Sequence, residues 1–312
     1  MDDSYVIISP CRNEAEFMRS TLNSVVNQSV KPSKWIIVDD GSTDDTPQIL
    51  QQYANQYSFI EIVTRNDRGH RSVGPGVVEA FNVGLNAISL DEYRFICKLD
   101  LDVDLPKRYF EILISKMDES PRIGTCSGKP YNRRAGNLVS EKRGDEMSVG
   151  MTKFYRVSCF KHIGGFVSEV MWDAIDCHRC RQLGWIACSW DEPELQFVHL
   201  RVMGSSQAGI YTGKARHGYG QYFMGTGLAY MTATSLYRML HPPYILGGLA
   251  MLWGYLKSMV ARAPRYKDEH LREFIREYQW KCLILGKQQA TRYLDDQQKT
   301  VWNKEMVELG DR

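Results

Sequence analysis

The fold of this chain is decided by two stretches, Ile36-Ile-Val-Asp-Asp-Gly-Ser-Thr-Asp44 and Phe95-Ile-Cys-Lys-Leu-Asp-Leu-Asp102. Each is an apolar run that ends in carboxylates, which is typical of a buried parallel strand that delivers acidic side chains to the carboxyl edge of a sheet. Open α/β folds bind their ligands at that edge. Because carboxylates are hard oxygen ligands, the pair Asp100 and Asp102 suits a nucleotide diphosphate held through Mg²⁺ or Mn²⁺.

Strand-like and helix-like segments alternate up to about residue 200. The predicted strands are Tyr5–Ser9 (stopped by Pro10), Trp35–Val38, Phe59–Thr64, Phe95–Leu99, Lys153–Val157 and Leu195–His199, which closes the sheet. The predicted helices are Glu14–Asn27, one opened by Thr46-Pro47, one after Gly76, one opened by Pro106, and Trp172–Leu183, with the stretch Arg122–Gly150 interpreted as loop. The alternation predicts an α/β fold with a Rossmann-like, mostly parallel sheet flanked by helices. We assign residues 1–200 to this catalytic domain and residues 201–312 to a mainly helical C-terminal region.

Composition argues against several classes of protein. A net charge of +2 gives no steering towards nucleic acid, so we expect no nucleic-acid partner. The eight scattered cysteines are typical of buried thiols in a reducing compartment. The start of the chain predicts no signal peptide, and no run reaches the roughly 18 uninterrupted apolar residues of a membrane span. We therefore expect a cytoplasmic catalytic part.

Six motifs follow one another in a distinctive order. They are Pro10-x-Arg-Asn-Glu14, Val38–Asp44, Gly76 to Asn82-x-Gly84, Leu99–Asp102 with Pro106, Gly164-Gly-Phe166, and Asp173 followed by Arg179 and Gly184. The first motif replaces the glycine-rich loop of dinucleotide-binding proteins, and there is no P-loop. The set resembles the family 2 glycosyltransferases, inverting sugar transferases of the GT-A fold, over about residues 4–200.

The resemblance implies a nucleotide site at the first two strand ends. Asp40 or its neighbour Asp39 would bind the base, most often uracil, and Asp100 would face the ribose. Asp39 and Asp40 could instead form a solvated turn, since Asp-Gly-Ser-Thr is ordinary turn chemistry. The full nucleotide-binding set is Pro10, Arg12, Glu14, Asp39, Asp40 and Asp100.

The resemblance also implies the metal and the catalytic base. Asp102 would bind the metal that bridges the phosphates, and His199, which ends the last strand, is either a second metal ligand or a structural histidine. Asp173 would be the base, although it could merely cap a helix, with Asp176 one turn further along as the other candidate. The family usually has Glu-Asp where this chain has Trp172-Asp173, so Trp172 could form a wall for a sugar ring.

Three weaker signals remain open. Asp104 could simply cap the helix near Pro106. Cys177-x-x-Cys180 is interpreted as helix packing and not as a metal site, because no second pair stands at ligand spacing. The loop arginines at the same sheet edge, which are Arg12, Arg68 and Arg71, either neutralise phosphate or are surface charges.

The segment Arg201–Lys267 contains eight Lys or Arg residues and no Asp or Glu. It includes the apolar run Pro242–Leu256 and a cluster of upstream aromatic residues, namely Tyr219, Tyr222, Phe223, Tyr230 and Tyr237. Short apolar segments with aromatics and bases predict a structure in the headgroup layer of an anionic membrane. The alternatives are a buried core helix or a subunit interface of a homo-oligomer.

These observations predict a metal-dependent inverting glycosyltransferase. Its donor would be a nucleotide-diphospho-sugar, expected to be UDP-linked, and its acceptor a hydroxyl of a lipid-linked or growing saccharide at the inner face of the cell membrane. The alternatives are a polyprenyl-phosphate sugar synthase, which needs no protein base because its acceptor is already ionised, and a non-catalytic scaffold that binds sugar nucleotides.

Overall fold

Two β-sheets and surrounding helices make up the part of the chain that is described, residues 3–67, 69, 74–134, 136–201 and 209–303 of a computed structural model. The strands are β1 Tyr5–Cys11, β2 Lys34–Asp39, β3 Ile60–Thr64, β4 Phe95–Leu99, β5 Val103–Asp104, β6 Ile123–Ser127, β7 Lys129–Arg134, β8 Asn137–Ser140, β9 Thr152–Arg156, β10 Ile186–Ser189 and β11 Gln196–His199. The helices are α1 Met18–Val26, α2 Thr46–Gln56, α3 Pro75–Leu85, α4 Tyr109–Glu119, α5 Val157–Ile163, α6 Trp172–Gln182, α7 Ile210–Met224, α8 Leu228–Met239, α9 Ile245–Val260, α10 Glu269–Leu285 and α11 Lys287–Gln297.

The main sheet has seven strands in the order β10-β6-β9-β4-β1-β2-β3. All neighbours in it are parallel except β9, which runs antiparallel to both β4 and β6. Alternate residues of β1 enter different cores, because Tyr5 and Ile7 pack with one cluster while Val6 and Ile8 pack with the other. Helices therefore cover both faces, and the predicted α/β class with its helical C-terminal region is confirmed.

Three predictions about strands are wrong. The stretch interpreted as loop, Arg122–Gly150, contains β6, β7 and β8, and β6 lies buried inside the main sheet. The sequence of β6, Ile-Gly-Thr-Cys-Ser, has little strand character. It contains Gly124 because a larger residue would clash with Cys159, whose Sγ would lie 2.4 Å from an added Cβ. The predicted closing strand, now β11, pairs with β5 and β7 in a second sheet of order β5-β11-β7-β8. Pro10 does not stop β1, which continues to Cys11. Pairing of β1 with β4 ends at Ile8, so the N–H that Pro10 lacks would have no partner on β4.

Helices α7, α9 and α8 pack through glycines at backbone distance. A Cβ on Gly218 would lie 1.9 Å from the Met251 carbonyl oxygen, and one on Gly254 would lie 2.0 Å from that of Ala215. Because the helices approach this closely, small residues fill the space between them and large apolar side chains point elsewhere.

Helix α11 packs against the N-terminal part of the chain. Asp295 accepts a hydrogen bond from Nε of Arg181 at 3.1 Å, and the Arg181 side chain is only 1% exposed. Beyond α11, the rings of Trp302 and Trp185 meet edge to face, with centroids 6.2 Å apart. The far end of α6 is therefore held by the C-terminal residues.

Candidate active site

The loops that follow β1 and β2 meet at the carboxyl edge of the sheet. The guanidinium of Arg12 donates to the backbone oxygen of Asp40 and, at 2.6 Å, to the carboxylate of Asp67. The Asp40 carboxylate accepts from Arg65 at 2.8 Å, and Asp39 accepts from a backbone N–H three residues on at 2.9 Å. Both aspartates are buried. The loops at this edge are therefore ordered, and Arg12 links them through its hydrogen bonds. Pro10 lies at the end of β1 beside it, while Arg68 and Arg71 lie outside the described residues.

Asp102 joins three distant parts of the chain. Its Oδ2 accepts from Nε of Arg201 at 3.1 Å and lies 3.8 Å from Nε2 of His199. The same Arg201 guanidinium also donates to Glu14. Burial alone would raise the pKa of Asp102, but His199 and Arg201 outweigh it, and the pKa is lowered. The structure therefore brings Glu14, Asp102 and His199 together around one arginine.

His199 stands between two carboxylates. Its Nδ1 lies 2.6 Å from Oε1 of Glu141, a side chain only 2% exposed, and its Nε2 faces Asp102. Burial would lower the pKa of His199, but hydrogen bonds and charge from Asp102 and Glu141 raise it to about 9. The same pairing lowers the pKa of Glu141 against the effect of burial. Glu141 lies in the stretch interpreted as loop, so the sequence pattern did not indicate it as a site residue.

Asp100 and Asp173 lie on either side of Gly150. Nζ of Lys98 donates to Oδ1 of Asp100 and, at 2.9 Å, to the carbonyl oxygen of Gly150. A Cβ on Gly150 would lie 2.9 Å from Oδ2 of Asp173, so the Asp173 carboxylate packs directly on this glycine. Desolvation by the surrounding protein raises the pKa of Asp100, although 32% of its side chain is exposed. The positive charge of Lys98 opposes this rise, and the negative charge of Asp102 adds to it.

Asp176 is unsuited to the role of base. Its side chain is 1% exposed and lies 2.7 Å from Nζ of Lys153 through Oδ1. Its Oδ2 also accepts from the hydroxyl of Tyr155. A carboxylate committed to a buried ion pair cannot reach an incoming hydroxyl, so Asp173, at the first turn of α6, is the better-placed candidate.

The other sequence signals divide clearly. Cys177 and Cys180 are buried in α6, as expected for packing residues. Trp172 is 8% exposed, which makes it an internal residue and not an open wall for a sugar ring. Asp104 does not cap a helix, because it pairs with Val198 as part of β5.

Asp102 and His199 are the pair best able to hold a metal. Glu141 engages Nδ1 of His199 and orients Nε2 towards Asp102, which is the usual support of a metal-binding histidine. Within the described residues, no group of three or more His, Cys, Asp or Glu side chains is arranged as a metal site. The substrate and water could supply further ligands.

His217 of α7 lies within electrostatic range of Asp173. Burial, Arg238 of α8 and Lys214 of α7 together lower the pKa of His217 to about 4, with Asp173 opposing them, so the His217 ring is neutral near pH 7. Burial and the nearby Arg238 likewise lower the pKa of Lys214. This side of the site therefore favours an anionic group.

Comparison with known proteins decides the family. Residues 6–170, more than half of the chain, match Glycosyl transferase family 2. The chain belongs to this family. Poly-beta-1,6-N-acetyl-D-glucosamine synthases of Staphylococcus epidermidis and Staphylococcus aureus (strain COL) are 25% and 26% identical to it. Each match covers 42% of this chain and 29% of the relative, so the chain corresponds to less than a third of those synthases.

Solved structures share the fold of this family 2 member. S. aureus TarS 1–349 aligns with a TM-score of 0.51 and 16% identity over 99% of this chain and 88% of that chain. The mannosyltransferase PcManGT from Pyrobaculum calidifontis, solved with GDP-Man and Mn²⁺, aligns with a TM-score of 0.51 and 16% identity over 98% and 85%. The predicted GT-A fold and the predicted family are confirmed.

Among the described residues, no helix has the length and apolar character needed to cross a membrane.

Proposed function

We propose that this glycosyltransferase is a metal-dependent inverting enzyme that moves a sugar from a UDP-sugar to a hydroxyl of a lipid-linked or growing saccharide. The observation that carries the proposal is that the Asp173 carboxylate, which accepts no hydrogen bond from the described residues, packs on Gly150, whose carbonyl oxygen shares Nζ of Lys98 with Asp100. TarS has been solved with UDP-GlcNAc, and the staphylococcal relatives synthesise a poly-N-acetylglucosamine, so UDP-GlcNAc is the first donor to test.

The acidic edge would hold the donor. Asp39, Asp40 and Asp100 would contact the nucleoside, while Asp102 and Nε2 of His199 would hold Mg²⁺ or Mn²⁺. A bound divalent metal supplies charge that stabilises the departing diphosphate. Arg201 and His199 balance the charge of Asp102. Asp102 and His199 would therefore hold an ion only with Arg201 turned away from Asp102 and with Nε2 of His199 unprotonated.

The metal assignment has a direct test. Asp102→Ala should abolish Mn²⁺-dependent binding of UDP-GlcNAc in titration calorimetry and leave the fold intact, because the side chain lies beyond the end of β4. Asp104→Ala, two residues on, is the matched control and should bind normally. Unchanged affinity and metal dependence in Asp102→Ala would remove the assignment.

Asp173 would act as the general base. As the acceptor hydroxyl attacks the anomeric carbon, the Asp173 carboxylate takes its proton, and a single displacement through an oxocarbenium-like transition state inverts that centre. Lys153 holds the backbone at this point by donating to the Asp173 carbonyl oxygen at 2.8 Å. The carboxylate itself therefore remains available to the acceptor.

Asp173→Asn tests the base, because it keeps the shape and removes the proton acceptor. UDP-GlcNAc should bind normally, while transfer to β-1,6-linked N-acetylglucosamine oligosaccharides should fall by roughly 10²–10⁴-fold. Asp296→Asn, on the exposed side of α11, is the control and should keep full activity. Near-normal transfer by Asp173→Asn would refute the base assignment.

The second candidate is a polyprenyl-phosphate sugar synthase. Lys214 and Arg238, which lie within electrostatic range of His217, support it, since these two bases would attract a phosphate acceptor. A polyprenyl phosphate is already ionised and needs no base. Transfer to a polyprenyl phosphate that survives in Asp173→Asn would support this candidate over the first.

An anionic membrane is the proposed location of the acceptor. Large apolar side chains on α8, on α9 and between them are more than half exposed, namely Leu236, Tyr237, Leu240, Tyr244, Ile245, Leu246, Trp253 and Val260. Exposed bases accompany them, namely Arg238, Lys257, Arg262, Arg265 and Lys267, in a segment without acids. Such a combination fits anionic headgroups over an acyl layer. The upstream aromatics contribute less than expected, because Tyr222 and Phe223 are buried.

Vesicle sedimentation tests the location. The protein should pellet with anionic vesicles and much less with neutral ones, and high salt should weaken the association without eliminating it. Replacing Lys257, Arg262, Arg265 and Lys267 by Gln should remove about 1 kcal/mol per base that faces the surface. Trp253→Ser should reduce the salt-resistant part. If the wild-type protein ignores vesicles and Trp253→Ser instead dissociates an oligomer, the face is a subunit interface.

A further inference from the structure

Two buried lysines stand directly opposite each other in the main sheet. Lys98 on β4 and Lys153 on β9 are paired residues of the antiparallel ladder, and their side chains are 2% and 0% exposed. Like charges in this position repel, and the repulsion is strongest where water is excluded. Asp100 and Asp176 compensate the two charges, since Lys98 donates to Asp100 and Nζ of Lys153 lies 2.7 Å from Oδ1 of Asp176.

Trp172 lies against both ammonium groups. Nζ of Lys98 is 5.2 Å from the centroid of its ring, and Nζ of Lys153 is 5.8 Å away. The electron-rich face of an indole attracts cations, most strongly when they are desolvated. Phe166 packs on the indole with ring centroids 4.7 Å apart, so the ring is held in place from another side.

Each lysine also holds one side of the active site. Lys98 donates to the carboxylate of Asp100, at the proposed donor edge. Lys153 donates to the backbone oxygen of Asp173 at 2.8 Å, at the first turn of α6. The indole of Trp172 thus connects the two cations that hold the proposed donor site and the proposed base.

We propose that Trp172 is a positioning residue that sets the distance between Asp100 and Asp173 through Lys98 and Lys153. The inference rests on the proposed role of Asp173 as base. It gives a function to the tryptophan that stands where the family usually has a glutamate. A carboxylate at this position would form ion pairs with the lysines, whereas the uncharged indole attracts both ammonium groups through its ring face and fills a dry space.

Two substitutions test whether the aromatic ring of Trp172 is needed or only the volume that it fills. Trp172→Phe keeps an aromatic face and should keep turnover within about 5-fold of wild type, whereas Trp172→Met fills the space without one and should lower kcat by roughly 10–100-fold, because small displacements of a base are costly. The assay is UDP release from UDP-GlcNAc with Mn²⁺, and calorimetry should give a donor Kd within about 3-fold of wild type in both. Phe81→Met is the packing control, since Phe81 belongs to the neighbouring core with Phe160 and Phe166 as its ring partners and not Trp172, and it should keep kcat.

A double-mutant cycle distinguishes positioning from general damage. If Trp172 acts through Asp173, adding Trp172→Met to Asp173→Asn should lower kcat no further. Full additivity, or equal losses in Trp172→Phe and Trp172→Met, would overturn the inference. An Asp173→Asn variant with normal turnover would instead refute the proposed function. Should Trp172→Met not fold, Trp172→Leu takes its place in the cycle, and full additivity there would overturn the inference equally.

Discussion

Removal of His199 should abolish a large pH dependence of stability. Asp102 and Glu141 raise the pKa of His199 from 6.5 to about 9, and the residue is only 7% exposed. The folded protein therefore holds this proton more tightly than the unfolded chain. The stabilisation is fully present below pH 6.5, decreases as the pH rises, and is lost above about pH 9.

The magnitude follows from the shift. A difference of 2.5 pKa units, which is 9 minus 6.5, corresponds to about 3 kcal/mol at 1.36 kcal/mol per unit. This is a large fraction of the stability of an ordinary domain. His199→Gln keeps a polar group for Glu141 but cannot carry the charge, so its stability should lack this dependence.

The measurement is urea unfolding of wild type and His199→Gln between pH 6 and pH 10, with EDTA present to remove metal ions. Buried thiols also destabilise the fold at high pH, but they contribute equally to both proteins, so the difference between the two curves isolates His199. His270→Gln, at an exposed position of α10, is the control and should follow wild type. Parallel curves for wild type and His199→Gln would refute this account of the cluster.

Two glycines give further predictions, with Gly213→Ala as a shared control because nothing lies within 4 Å of its added Cβ. Gly150→Ala should preserve the melting temperature but lower turnover of UDP-GlcNAc about 10-fold or more, because the new methyl group would lie 2.9 Å from the Asp173 carboxylate and turn it away. Gly254→Ala should lower the melting temperature although alanine gains about 1 kcal/mol of helix propensity, since its Cβ would meet the Ala215 carbonyl oxygen at 2.0 Å. A stabilised Gly254→Ala, or full turnover in Gly150→Ala, would contradict the packing described at that position.

The acidic strand ends could be predicted from sequence because apolar runs and carboxylates are local signals. Phe95–Leu99 was predicted with its observed bounds for this reason. Strand β6 could not be predicted from its own sequence. Its Gly124 is required by close contacts with Cys159 and Trp185, which lie far along the chain. Helix-forming and strand-forming preferences carry no information about such distant neighbours.

The charged partners of the site were equally inaccessible. Lys98 inside an apolar strand was a visible signal, since a buried lysine requires compensation, but its partner across the sheet depends on the antiparallel course of β9. The contact between Glu141 and His199 could not be predicted from sequence. It depends on the pairing of β7 with both β8 and β11, which brings the two residues together. The roles of these residues remain predictions.

The contact between Arg181 and Asp295 has a consequence for how the chain can be shortened. Arg181 is buried in α6, the helix that carries Asp173 at its other end, and the carboxylate that balances its charge comes from α11. A chain cut after α9 would retain every proposed catalytic group, yet it would leave a guanidinium in the interior without the carboxylate of Asp295. Such a loss costs several kcal/mol. We therefore expect a protease that cleaves within α11 to lower the proposed activity from a distance, by unfolding α6 from the end opposite Asp173.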